Sequence, residues 1–102
     1  MITIETIKQQ LENIRYYYGR KETFEKAFNF LGKNSILQTV DTYNQAICHA
    51  SPRLYEVYIA IYINCCTYEL AAETLGFSVS HIYRVNREII DFFYNEFNKE
   101  AA

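Results

Sequence analysis

The stretch "TYELAAETLGFSVSHIYRV", Thr67 to Val85, decides how the chain is read. It predicts two short helices, about Tyr68 to Leu75 and Val79 to Asn98, pinched around Gly76-Phe77-Ser78. A three-residue turn that starts on glycine makes two consecutive helices cross steeply, as in a helix-turn-helix unit. Four residues before the glycine, Ala72 is small where the two helices must approach. Ile82 and Val85, six and nine residues after it, face the second helix inward. Leu75 and Phe77 bracket the turn with apolar contacts, and Thr67 and Ser78 stand where each helix needs an N-terminal cap.

Outward from that unit the chain also reads as helix. It has 102 residues, the size of one domain, with only 3 Gly and 1 Pro to punctuate it. Half the residues are hydrophobic, and 10 tyrosines with no tryptophan make that inventory amphipathic. A first helix is expected over 3–18, capped by Thr3, with Ile4, Ile7, Leu11, Ile14 and Tyr18 as a narrow apolar seam. A second, over 21–31, has Phe24, Ala27, Phe28 and Leu31 on one face and Gly32 as its stop. A third opens at Ser35, with Gln38 at capping-box spacing, and buries Ile36, Val40, Tyr43 and Ile47. "ASPRL" opens a fourth over about 52–64, since Ser51 caps and Pro52 suits the first helical position. That helix is apolar nearly all round, which predicts a central, buried place for it. The fold class expected is all-α: about six helices in a single domain, 1–102. Residues 1–50 form the N-terminal helical part, and 51–98 a tri-helical part packed on it.

The residues of the central stretch resemble a known pattern. "TYELAAETLGFS" followed by "HIYRV" is similar to the helix-turn-helix of bacterial sigma-factor region four and of phage transcription regulators of the ArpU/RinA sort. The strict match covers roughly 67–87 and extends loosely over 52–98. The segments "IRYYYGRKETFEKAF" and "VDTYNQAI" are similar to small phage-encoded proteins with such a back half, less specifically. The resemblance implies a phage or prophage regulator that binds promoter DNA, with RNA polymerase as a further partner. In such a unit the start of the second helix enters the major groove. Outward positions there are Ser78, Val79, Ser80, His81, Tyr83, Arg84 and Arg87, while Ile82, Val85 and Ile89 take the buried side. Arg84 suits a bidentate contact to guanine, and Ser80 and Tyr83 a phosphate or base edge. Arg87, a turn later, suits a phosphate, as does Thr67 at the open N–H end of its helix. His81 is also read as an ordinary exposed residue of a helix start.

Charge weighs against this reading. The formal net charge is −2. Residues 67–102 carry three Lys/Arg against six Asp/Glu, whereas residues 1–66 carry seven against six. Most affinity for DNA comes from phosphate neutralisation. A basic rim of Arg15, Arg20, Lys21 and Lys26, a homodimer, or DNA already held by RNA polymerase would each compensate. Ile89, Ile90, Phe92, Phe93, Tyr94 and Phe97 cover more than one face of the last helix. Most of these predict packing within the chain, and the rest, with the seam of the first helix, predict a dimer contact. The rival reading is a helical adaptor or inhibitor that grips a host protein and binds no DNA.

Other chemistry finds little support. Cys48, His49, Cys65 and Cys66 lack the spacing of a zinc site, so the cysteines are expected to be small buried hydrophobes. The odd cysteine number and the adjacent pair exclude a disulfide framework. "YYYGRK" sets three tyrosines beside two cations, a base-stacking candidate, although Tyr17 and Tyr18 read as core or seam and Tyr16 as surface. No nucleophile motif, phosphate-cradling glycine loop or paired catalytic carboxylate stands out, so neither an enzyme nor a cofactor is expected. The longest apolar run, Tyr58 to Ile63, is too short to span a bilayer. No leader pattern follows Met1, so a reduced cytoplasmic setting is expected.

Overall fold

A computed structural model describes residues 1–21 and 35–99. Among these, all regular structure is helical: α1 (Ile4–Gly19), α2 (Ser35–Ile47), α3 (Pro52–Tyr58), α4 (Tyr68–Leu75) and α5 (Val79–Phe97). That is five helices against the six expected. The helix expected over 21–31, Lys26 within it and the capping side chain of Ser35 lie outside the described residues.

Local rules account for the helix starts. The side chains of Thr3, Ser51, Thr67 and Ser78 each accept a hydrogen bond from the amide three residues on, at Thr6, Leu54, Leu70 and His81. Pro52 sits in the first turn of α3. At the end of α4 the chain closes on Gly76, whose φ of 74° is left-handed. The Phe77 amide reaches back to the Ala72 carbonyl at 2.9 Å, the six-to-one bond of a Schellman cap. A β-carbon at Gly76 would meet nothing within 4 Å. Glycine is therefore required by backbone angle and not by crowding; any other residue costs about 1–2 kcal/mol there.

The core joins α1, α2, α3 and α5. Ile7, Leu11, Ile14 and Tyr17 of α1 meet Val40, Tyr43 and Ile47 of α2, Val57 and Tyr58 of α3, and Ile89 and Phe93 of α5. Fully burying each aliphatic side chain stabilises by about 1.5–3 kcal/mol. The α1 seam is thus spent inside the protein. It is carried by Tyr17, not Tyr18, because the α-helix advances 100° per residue and the seam drifts. Tyr18 is half-buried, and its hydroxyl accepts from Asn44 Nδ2 at 2.9 Å. Phe92, Tyr94 and Phe97 of α5 are also packed against the core, so the aromatic face proposed for a dimer is largely covered.

The fourth expected helix does not run regularly to residue 64. After Tyr58 it widens into a π turn, Ile59–Ile63, with the Asn64 amide on the Ile59 carbonyl at 2.8 Å. Cys65 then takes a left-handed φ of 56°, which reverses the chain without glycine. Both departures have the same support. Arg15 was expected on a basic rim, but it turns inward. Its Nε donates to the Ile61 carbonyl at 3.1 Å, and its Nη2 to those of Cys65 and Cys66 at 3.3 and 3.2 Å. A charged donor satisfies carbonyls that the helix leaves unpaired at its end. This segment is central as expected, with Leu54, Val57, Tyr58, Ile61 and Tyr62 buried, but Tyr55 is exposed.

Candidate nucleic-acid interface

The α4–turn–α5 segment sorts its residues by face. Ala71 and Ala72 of α4 and Ile82, Val85 and Ile89 of α5 are buried, which fixes α5 in rotation. That leaves Ser80, Tyr83, Arg84 and Arg87 exposed along one ridge at the N-terminal half of α5. No other described residue gives the side chains of Ser80, Arg84 or Arg87 a hydrogen bond or ion pair. Thr67 and Ser78 are exposed as well, each engaged in capping its helix.

Two candidates are less outward than the sequence suggested. The His81 ring is half-buried and meets Phe77 edge-on at 4.6 Å, so it buttresses the turn. Val79 is half-buried against the core. Both sit at the start of α5, where the turn folds Phe77 back over the helix.

A residue that the sequence did not single out organises this face. Asn86 accepts from the buried Tyr62 hydroxyl at 2.5 Å and donates to the Tyr68 hydroxyl at 3.2 Å. It thereby ties the π turn, the first residue of α4 and the middle of α5 together. Tyr68 in turn meets Tyr83 edge-on, with centroids 4.4 Å apart. Tyr83 remains 54% exposed, so its ring is held on one edge and open on the other. Burial pushes the Tyr68 hydroxyl pKa up, with further upward contributions from Tyr83 and Glu12, while Arg15 opposes them. The ring therefore stays a neutral donor and acceptor across the usual pH range. The sequence signal for Asn86 was faint: it is one of two amides on α5, with Asn95, and nothing beside it in sequence marks it out.

The acidic residues behind the ridge are partly neutralised. Glu88 pairs with Arg53 at 2.9 Å, and Glu96 lies 3.5 Å from Lys99 and 3.8 Å from His49. The exposed Arg53–Glu88 pair adds little stability, but it offsets the negative charge next to Arg87. Asp91, Glu69 and Glu73 remain exposed.

The cysteines depart from the burial expected of them. Cys48 is exposed, and Cys65 and Cys66 are half-buried. They occupy helix ends, not helix interiors. The Cys65 thiol donates to the Arg15 carbonyl at 3.3 Å. Among the described residues no three His, Cys, Asp or Glu side chains come together in a way that would hold a metal ion. No helix there is long and apolar enough to cross a membrane.

One apolar depression lies elsewhere, between α3 with its π turn and the end of α4. It encloses about 250 Å³ and is walled by Tyr55, Ile59, Ala60 and Leu75, with Glu56 at its edge. Comparison with protein-family models, curated proteins and solved structures found no match.

Proposed function

We propose that the protein is a DNA-binding transcriptional regulator whose α4–turn–α5 segment acts as a helix-turn-helix, with the start of α5 as the recognition element. The observation that carries this reading is the sorting of α5. Ile82, Val85 and Ile89 are fully buried while Ser80, Tyr83, Arg84 and Arg87 form an open ridge just past the glycine turn. In the major groove, Arg84 would give a bidentate contact to guanine, with Ser80 beside it on a base edge. Tyr83 leans on Tyr68, next to the Thr67 cap, and so is better placed for the backbone than for a base. Thr67, Ser78 and Arg87 supply the remaining phosphate contacts, and His81 supports the turn. The resemblance to sigma-factor region four and ArpU/RinA-type regulators agrees with this assignment and adds RNA polymerase as a second partner. A homodimer would double a small set of contacts, although the two seams considered for it are largely used inside the chain.

The test is a double charge reversal, Arg84→Glu with Arg87→Glu, in a gel shift on duplexes selected from a random pool by the wild-type protein. Loss of the shifted band with an unchanged circular dichroism melt is the expected result. Equal binding by wild type and variant would refute the assignment.

A protein-binding adaptor is the second reading, favoured by the apolar depression at Tyr55, Ile59 and Leu75 and by the acidic balance of the chain. Under that reading Ile59→Glu abolishes function and the Arg84/Arg87 reversal does not.

A further inference from the structure

We infer that Arg20, at the C-terminal end of α1, is an additional phosphate contact for the same duplex, reached across a cleft between α1 and Cys65, two residues before the Thr67 cap of α4. This rests on the DNA reading above and extends the interface beyond the two helices that carry it.

The cleft measures about 600 Å³, with Glu12, Arg15, Tyr16, Arg20 and Cys65 on its walls. Its walls are tied together. A β-carbon on Gly19 would lie 3.7 Å from Cys65 Sγ, the Cys65 thiol donates to the Arg15 carbonyl, and the Arg15 guanidinium returns bonds to the Cys65 and Cys66 carbonyls. Thr67, the cap of α4, follows directly. The end of α1 therefore keeps a fixed place relative to the start of α4.

A chain of contacts leads from there to the ridge. Arg15 holds the Cys65 and Cys66 carbonyls, Tyr68 follows two residues on, and its ring meets that of Tyr83 with centroids 4.4 Å apart. From Glu12, one face of α1 runs through Tyr16 to Arg20 in steps of four residues. Eight residues of helix rise by about 12 Å, so Arg20 stands about that far beyond Glu12 along α1.

Arg20 is suited to an anion there. Its guanidinium lies over the Tyr16 ring, 5.0 Å from the centroid. A stacked guanidinium is held by its face and keeps its in-plane N–H donors for a phosphate. Arg15 is committed to carbonyls and does not compete. Among the described residues Glu12 is the one carboxylate on the cleft wall, and it opposes an anion. The arrangement also meets a need, because Arg84 and Arg87 alone neutralise few phosphates.

The experiment is fluorescence anisotropy of a labelled random-sequence duplex over a potassium chloride series. It compares wild type with Arg20→Ala, Arg20→Lys and Glu12→Gln. Each phosphate contact adds about 0.9 to the slope of log affinity against log salt. Arg20→Ala is expected to weaken binding and flatten the slope by about 0.9, Arg20→Lys to restore most of it, and Glu12→Gln to tighten binding. Binding by wild type with the same slope in Arg20→Ala overturns this inference and leaves the α5 assignment standing. No binding by wild type at the lowest salt overturns both.

Discussion

The two halves of α5 are one helix with opposite duties. Over 88–97 most of it packs against its own chain, with Asp91 and Asn95 left exposed. Phe93 is fully buried, with Tyr43 at 4.7 Å and Phe97 stacked at 5.5 Å, and Tyr43 also meets Phe97 at 4.9 Å. Over 79–87 only one face is wrapped, by contacts at Ile82 and Val85, and the other carries the Ser80, Tyr83, Arg84 and Arg87 ridge. The contrast shows how a small domain holds an exposed ridge in a fixed orientation. The second half supplies most of the aromatic packing, and the first half adds the buried Ile82 and Val85 and the Asn86 hydrogen bonds that set its rotation. The charges divide less cleanly: the ridge holds two arginines and Glu88 is paired with Arg53, while Asp91, one turn on from Arg87, is exposed and pairs with no described residue.

The contrast can be broken at either end. The largest effect is expected at the anchor. Phe93→Ala removes a fully buried ring and should cost about 3–5 kcal/mol in urea unfolding. A change below 1 kcal/mol would mean that the second half is not the anchor.

Next comes alkaline pH. Burial holds the hydroxyl pKa values of Tyr43, Tyr58 and Tyr62 well above the ordinary 10.0. Their folded pKa is raised, so the stability they contribute is complete below pH 10 and is lost as pH rises beyond it. Each should cost about 1.4 kcal/mol per pH unit once the unfolded chain ionises. A thermal melt series from pH 8 upward should therefore be flat to about pH 10 in this respect and then fall. Tyrosine absorbance should show these phenols ionising only with unfolding.

A smaller loss is expected at the junction of the two halves. Asn86→Leu strands the Tyr62 hydroxyl, which should cost about 1–3 kcal/mol. It also frees Tyr68, so Tyr83 should lose its fixed ring orientation, visible as averaged aromatic NMR shifts. The smallest effect belongs to the ridge. Arg84→Ala should change stability by less than about 0.5 kcal/mol, because the side chain is exposed and makes no ion pair with any described residue.

Much of this architecture was legible in the sequence, for reasons that are local. Caps at Thr3, Ser51, Thr67 and Ser78 and the left-handed stop at Gly76 depend on a few neighbouring residues, and the structure has them where expected. The inward set of α5 follows from helical period alone. What was not legible depends on partners distant in sequence. Arg15 looked like a surface cation because nothing near it announces three carbonyls some fifty residues away. The π turn at Ile59–Ile63 and the left-handed Cys65 were hidden for the same reason. Asn86 reads as an ordinary helix-surface amide until Tyr62 and Tyr68 are seen on either side of it.

The most direct measurement is an NMR titration of ¹⁵N-labelled protein with a short random-sequence DNA duplex at low salt. The account predicts that amide shifts gather at Thr67, Ser78, Ser80, Tyr83, Arg84 and Arg87 and leave Phe93 and its neighbours unmoved. An unchanged spectrum, or shifts confined to Tyr55, Ile59 and Leu75, would contradict it.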